Sequence, residues 1–206
     1  MLSFKSFAVL SALAFGAATT VFAAPLTEGT NILARCGCSS VATIIDDLTV
    51  VVTPITQEFH YITASNCTVS ALTPLVGQLK GALSDAVGEV NKLVGQPAEI
   101  ILATVDGAAQ ITVIELAQLI STLVILIFTA LGAVLNVASS TVVGCLTPLL
   151  CTVGEIVGAL LSAIFSVTGG LLVGLSATVL GLLAEVIAII VRLNVSMVIS
   201  VVGIQV

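Results

Sequence analysis

Residues 112–136 read TVIELAQLISTLVILIFTALGAVLN, a stretch that opens with a helix-start signal and then continues without a break. Thr112 and Glu115 form the pattern Thr-x-x-Glu, in which each side chain accepts a hydrogen bond from an exposed backbone N–H of the first helical turn. We therefore predict one long helix from Thr112 to near Asn136. Its polar residues fall along one edge, which we expect to face water or a partner: Glu115, Gln118, Thr122, Thr129 and Asn136.

Charge is distributed unevenly along the chain. From Leu116 to Val206 the only charged residues are Glu155, Glu185 and Arg192. The whole chain carries 5 Lys and Arg against 11 Asp and Glu. Because basic residues are so few, the chain lacks the electrostatic footprint of a nucleic-acid-binding protein. This nearly uncharged half requires a lipid, an air–water boundary or a closed helical core.

Composition divides the chain into four segments. Residues 1–23 have the pattern of a secretory signal peptide, with Lys5 before an apolar run and small residues at the predicted cleavage site. Residues 24–38 form a polar N-terminal segment, 39–111 a predicted amphipathic helical region and 112–206 a predicted hydrophobic helical region. We expect a secreted protein, extracellular or in a cell wall, with a membrane as the alternative location.

The region 39–111 shows the helical period, because its apolar residues recur at steps of three and four. Pro is favoured in the first turn of a helix, so we predict that Thr53-Pro54 and Thr73-Pro74 each open a new helix. The predicted helices of this region span about 39–52, 54–64, 73–94 and 97–104.

Small residues punctuate the last third of the chain. Six of them recur at every fourth position, and on a helix such a register forms a groove along which another backbone can approach closely. The six are Gly154, Gly158, Ser162, Ser166, Gly170 and Gly174. We expect Gly169-Gly170 to break this helical run in two.

The expected fold class is all-α. Val, Ile and Thr are abundant and favour strands, but the strict alternation of a strand is missing. We predict an antiparallel helical bundle with amphipathic N-terminal helices and a very hydrophobic C-terminal helical hairpin.

Five cysteines follow the leader, and in an oxidising secretory compartment their default state is the disulfide. They are Cys36, Cys38, Cys67, Cys145 and Cys151. We expect a local bridge between the last two, which flank Pro148 in a predicted interhelical turn. One of the first two is expected to pair with Cys67, and the remaining cysteine is either buried or available to link two chains. Two sequons, Asn66-Cys67-Thr68 and Asn194-Val195-Ser196, are candidates for N-glycosylation.

No pattern of side chains indicates catalysis. The single histidine, His60, has no nucleophile elbow to serve, and the cysteines lack the usual spacing of zinc ligands. The stretch that ends at Glu115 only faintly resembles a calcium loop, since Ala108 and Ala109 replace an oxygen donor and the turn glycine. We expect no enzymatic activity, no cofactor and no metal.

Several short features occur together: the leader, Arg35-Cys36-Gly37-Cys38, the Thr-Pro pairs, Asn66-Cys67-Thr68, Gly95-Gln96-Pro97 and the hydrophobic C-terminal half. In this combination the chain resembles small secreted proteins of mushroom-forming fungi, including the aerial-hypha and adhesion type of cell-wall structural protein. The resemblance implies a structural, surface-active role without a catalytic site. It does not extend to hydrophobins, which have eight cysteines with adjacent pairs.

We therefore expect a protein that self-associates or coats a hydrophobic interface, such as a cell wall or an aerial surface. Its expected partners are further copies of itself, a hydrophobic surface or a lipid. Two alternatives stay open. One is a membrane-inserted protein of the secretory pathway, since Leu119–Val137 and Ile156–Val179 are long enough to cross a bilayer. The other is an extracellular lipid-binding helical bundle whose small-residue groove lines a cavity.

Overall fold

The computed structural model of the chain describes residues 39–204, and the predicted signal peptide and polar N-terminal segment lie outside this range. Within it the chain forms eight helices, which confirms the predicted all-α bundle. In chain order they are α1 (Val41–His60), α2 (Val69–Asn91), α3 (Ala98–Ile101), α4 (Val113–Val137), α5 (Ser140–Thr168), α6 (Leu175–Leu182), α7 (Ile187–Leu193) and α8 (Ser196–Val202).

Helix α1 is continuous through Pro54, so the helix break predicted at Thr53-Pro54 is wrong. The helix begins instead at Ser40, whose hydroxyl oxygen accepts from the backbone N–H of Thr43 at 3.2 Å. Thr53 is not a cap, because its hydroxyl donates back to the carbonyl oxygen of Thr49 at 2.7 Å. Pro54 removes one backbone bond of the helix, and the packing of the surrounding turns tolerates that loss.

The same Thr-Pro step lies inside two further helices. Thr73 and Thr147 each donate their hydroxyl to the carbonyl oxygen four residues earlier, at 2.7 and 2.9 Å. Helix α2 therefore begins after Thr68 rather than at Thr73, and the turn predicted around Pro148 is wrong because that residue lies within α5. A Thr hydroxyl can bond backward into a helix, so Thr-Pro alone does not mark a helix start.

The capping box at the start of α4 forms as predicted. The backbone N–H of Glu115 donates to the Thr112 hydroxyl at 3.3 Å, and the N–H of Thr112 donates to a Glu115 carboxylate oxygen at 2.9 Å. The helix ends at Val137, one residue beyond the predicted end. All five residues of the predicted polar edge are exposed: Glu115, Gln118, Thr122, Thr129 and Asn136.

Helix α4 supplies much of the core. It contacts α1, α5, α6 and α7, while α5 contacts α2, α4, α7 and α8. Side chains such as Ile127 and Phe128 are completely enclosed. Apolar area removed from water stabilises a fold by about 25 cal/mol per Å², so this enclosed surface is the main source of stability.

The predicted hydrophobic hairpin consists of α4 and α5, which are joined by the two residues Ala138 and Ser139. The C-terminal end of α4 is bound by the only basic residue beyond Lys92. Arg192 donates to the side-chain oxygen of Asn136 at 3.1 Å and to the carbonyl oxygen of Leu135 at 3.3 Å. A cation is favoured there because the last carbonyl groups of a helix carry partial negative charge.

Candidate functional site: an uncharged helix face

The outward side of α5 is the candidate interaction surface. The most apolar stretch of 18 residues in α5 has a mean hydropathy of 2.0, and only 44% of that stretch is buried. In the corresponding stretch of α4 the buried share is 61%. Residues spaced by three and four positions share one face of a helix. We define the outer face of α5 as eight half-buried or exposed residues with that spacing: Val142, Cys145, Leu149, Thr152, Ile156, Ala159, Ala163 and Ser166.

The turn that follows α5, residues 169–174, continues this surface. It contains Leu171, which is 42% exposed, and Val173, which is 87% exposed. Gly174 closes the turn at a φ of 86°, a conformation that side chains with a Cβ rarely adopt. Exposed apolar side chains next to an apolar helix face are typical of association or interface-binding surfaces.

The outer face and the turn carry no charge. Glu155 is the only charged residue of α5, it lies beside the outer face, and it accepts a hydrogen bond from the Ser196 hydroxyl at 3.3 Å. The guanidinium of Arg192 is bound at the end of α4. The surface therefore offers no ionic recognition and matches an apolar counterpart.

The predicted small-residue groove is occupied by the chain itself at two positions. A Cβ added at Gly154 would lie 2.5 Å from a methyl group of Val195, and one at Gly158 would lie 2.9 Å from the backbone nitrogen of Val198. These two glycines thus allow Val195 and the helix that follows it, α8, to approach α5 closely. The space beside them is filled by protein, so they line no lipid cavity.

The other four positions of that register do not join the contact. Ser162 and Ser166 are exposed, while Gly170 and Gly174 lie beyond the end of α5. The helix geometry explains this, because each step of four residues turns by about 40° and six such positions wind through about 200°. A straight partner can follow only part of such a register.

Two open grooves flank α1. One, of about 370 Å³, lies between α1 and α2 and is lined by Ser39, Asp47 and Asp85 among others. The second, of about 430 Å³, lies against α4 and is lined by Asp46, Glu115 and a mixture of polar and apolar neighbours. Both are open to solvent rather than enclosed.

The predicted bridge between Cys145 and Cys151 is wrong, because both thiols are free and lie on the continuous helix α5. Six helical residues rise about 9 Å. A disulfide requires Cα atoms closer than about 7 Å. Burial, together with the neighbouring Glu155, raises the pKa of the Cys151 thiol.

Cys67 is buried, which raises the pKa of its thiol. Its predicted partners, Cys36 and Cys38, lie outside the described residues, so that pairing stays a prediction. The distance between Ser39 and Cys67 opposes this disulfide within one chain. Ser39 and Glu89 line the same groove at one end of α2, and Cys67 lies at the other end. Those ends are about 30 Å apart. The three Cα-to-Cα steps from Cys36 to Ser39 span at most about 11 Å.

Both sequon asparagines lie at the surface. The Asn66 side chain closes a turn, since its amide donates to the Tyr61 carbonyl oxygen at 3.2 Å and its oxygen accepts from the Thr63 N–H at 2.6 Å. Asn194 occupies the turn between α7 and α8 with a φ of 54°. Glycosylation of either residue stays a prediction.

The residues considered for chemistry are dispersed. His60 is exposed at the end of α1. Hydrogen bonds from the Thr104 hydroxyl and the Ala108 N–H lower the pKa of Asp106, and the capping bonds from Thr112 lower that of Glu115. Residues 39–204 contain no group of three or more His, Cys, Asp or Glu side chains that could hold a metal ion.

By length and composition, α4 and α5 are each able to cross a membrane, and the bent pair α6 and α7 would make a third span if it acted as one. Comparisons of the chain with protein-family models, with curated proteins and with solved structures give no match.

Proposed function

We propose that this is an exported structural protein that self-associates or coats a hydrophobic interface, without catalytic activity. The observation that carries the proposal is the outer face of α5, which is uncharged and mostly apolar. It belongs to a helix of 29 residues whose most apolar 18-residue stretch is less than half buried. The exposed turn at 169–174 lengthens that face.

The composition of the outer face suits close packing. Leu149 and Ile156 supply apolar area, and neighbouring small residues such as Ala159 and Ala163 let a second helix or an apolar phase approach. Residues seven apart form one seam, the arrangement in which two helices interlock side chains. Covering this seam removes apolar surface from water without desolvating a charge, so the free energy of contact is favourable.

A pair of Thr-to-Lys variants tests this surface. Thr152 lies on the outer face of α5 and Thr122 on the polar edge of α4, and both are exposed. We expect Thr152→Lys to weaken self-association by at least about tenfold in sedimentation velocity, or to slow the fall of surface tension at an air–water boundary, because it places a charge in the seam. Thr122→Lys should leave both measurements unchanged.

Two results would contradict the proposal. One is a wild-type protein that stays monomeric at high concentration and leaves surface tension unaltered. The other is equal behaviour of the two variants, which would mean that any association uses another surface. Circular dichroism of both variants controls for folding.

Membrane insertion is the second candidate, favoured by the two helices that are long and apolar enough to span a bilayer. The exposed polar edge of α4 opposes it, because Gln118, Thr122 and Thr129 would face lipid unless another helix covered them. Alkaline carbonate extraction separates the two candidates. A surface-active protein is released into the supernatant, whereas an inserted one stays with the membrane.

A further inference from the structure

The groove between α1 and α2 has an apolar base and an acidic rim. Its base is formed by Ile44, Leu48, Val51, Ala82 and Ala86, and its rim carries Asp47, Asp85 and Glu89. Glu89 forms an ion pair with Lys92. Asp47 and Asp85 are exposed and have no ion-pair partner within residues 39–204. The groove is therefore suited to a short segment that is both apolar and positively charged.

The chain itself contains such a segment, which is covalently connected to a residue at the edge of the groove. Ser39 lines one end of it and is also the first described residue, so residues 24–38 continue from that point. Within them Ile32-Leu33 is followed closely by Arg35, the only basic residue of the polar N-terminal segment. The chemistry of these residues complements the base and the rim.

The length of chain between Arg35 and Ser39 is sufficient for Arg35 to reach the rim of the groove. Four Cα-to-Cα steps lead from Arg35 to Ser39, and they span up to about 13 Å when extended. Asp47 lies eight helical residues from Ser39, about 12 Å along α1. Arg35 can therefore reach the rim of the groove, and Leu33 and Ile32 can reach the base beyond it.

We infer that residues 31–38 bind in the α1–α2 groove of their own chain, with Ile32 and Leu33 on the apolar base and the Arg35 guanidinium between Asp47 and Asp85. Attachment at Ser39 gives the segment a millimolar effective concentration, so a weak individual affinity is sufficient. This contact does not depend on the outer face of α5. It would also hold Cys36 and Cys38 at the end of the bundle that is remote from Cys67.

Limited trypsin digestion of the purified full-length chain tests this contact. A bound segment shields the Arg35-Cys36 bond, so we expect cleavage there to be at least about tenfold slower than in a free peptide of residues 29–41. Asp47→Asn combined with Asp85→Asn should accelerate this cleavage at least fivefold. Asp46→Asn is the matched control, because Asp46 lines the other groove of α1, and it should change nothing.

A charge exchange gives a second readout. Hydrogen exchange of the amides of residues 31–38 should be slow in the wild type, fast in Asp85→Arg and slow again when Arg35→Glu is added. Free-peptide rates in the wild type, or equal rates in all three proteins, would overturn the inference. Protection that disappears on dilution would overturn it as well, because the segment would then occupy the groove of a second copy.

Discussion

The glycines of α2 and two glycines of α5, Gly154 and Gly158, share a chemistry but have opposite surroundings. A Cβ at Gly77, Gly81 or Gly88 of α2 would meet no atom within 4 Å outside its own helix backbone, whereas one at Gly154 would collide with Val195, just before α8, and one at Gly158 would collide with α8 itself. In the amphipathic half, small residues leave an outer helix face open to water. At Gly154 and Gly158 of the hydrophobic half, they admit a neighbouring segment of the chain. The contrast shows that a small residue acquires its role from what the fold brings beside it.

Exchange of glycine for alanine should separate the two halves most strongly. We expect Gly158→Ala to lower the free energy of unfolding by about 1–3 kcal/mol, because the backbone of Val198 cannot move aside as a side-chain tip can. Gly81→Ala should raise it by about 0.5–1 kcal/mol through helix propensity alone. Urea denaturation followed by circular dichroism measures both. Equal effects would mean that α8 does not pack on α5.

The N-terminal caps of α4 and α2 also differ between the two halves, and their removal should have smaller effects than the glycine exchange. Thr112→Ala should cost about 1 kcal/mol, because it removes the cap that starts α4. At the start of α2 the Thr68 hydroxyl oxygen accepts from the Ala71 N–H at 3.2 Å, without a carboxylate that bonds in return. Thr68→Ala should therefore lower the free energy of unfolding by less than Thr112→Ala does. Denaturant midpoints measure both variants. A larger loss in Thr68→Ala would contradict this ranking.

Buried hydroxyl groups differ between the halves as well. Thr56 in α1 donates to the Thr53 carbonyl oxygen at 2.8 Å, while the buried Ser121 hydroxyl in α4 has no partner within residues 39–204. We expect Ser121→Ala to raise the unfolding free energy by about 0.5–1 kcal/mol, since an unsatisfied buried hydroxyl is costly. Thr56→Val should be neutral or slightly destabilising in the same titration. A destabilised Ser121→Ala would reveal a hydrogen bond to that hydroxyl.

The smallest expected effect is a dependence on acid pH. The capping bonds hold the pKa of Glu115 below its value in the unfolded chain, so the unfolded state binds more protons between the two values. The contribution of Glu115 to the free energy of unfolding is present above the pKa of the unfolded chain, about 4.3. It is lost as the pH falls through the pKa of the folded state. Thermal melts from pH 6 to 3 should show a slightly steeper acid decline in the wild type than in Glu115→Gln. Identical slopes would exclude this contribution.

Short sequence patterns predict the structure correctly where the contacts that determine it join residues close together in the sequence. Thr112 and Glu115 are three residues apart, so their pattern predicts the start of α4, and the helical period predicts its exposed edge. Thr53-Pro54 misleads because two local outcomes compete, a cap and a backward hydroxyl bond, and only packing decides between them. The contact between Gly158 and Val198 joins residues forty positions apart, which no local pattern determines.

The candidate surface shows the same division. The scarcity of charge after Glu115 predicts that this half meets an apolar environment, but it does not predict which helix keeps an exposed face. Helix α4 is more apolar than α5 and yet more buried, because α1 and α6 cover it. The predicted bridge between Cys145 and Cys151 failed for a related reason, since an unbroken helix replaced the expected turn.

Helix α8 follows α5 in the chain, and this order affects how the protein is made. A ribosome supplies residues at about 5–20 per second from the N-terminus, so α5 is complete before the helix that packs against Gly154 and Gly158 has been synthesised. During that interval two sides of α5 lack cover. We expect nascent chains to need a holding factor until Val202 has emerged, and truncation before Ser196 to leave a product that aggregates.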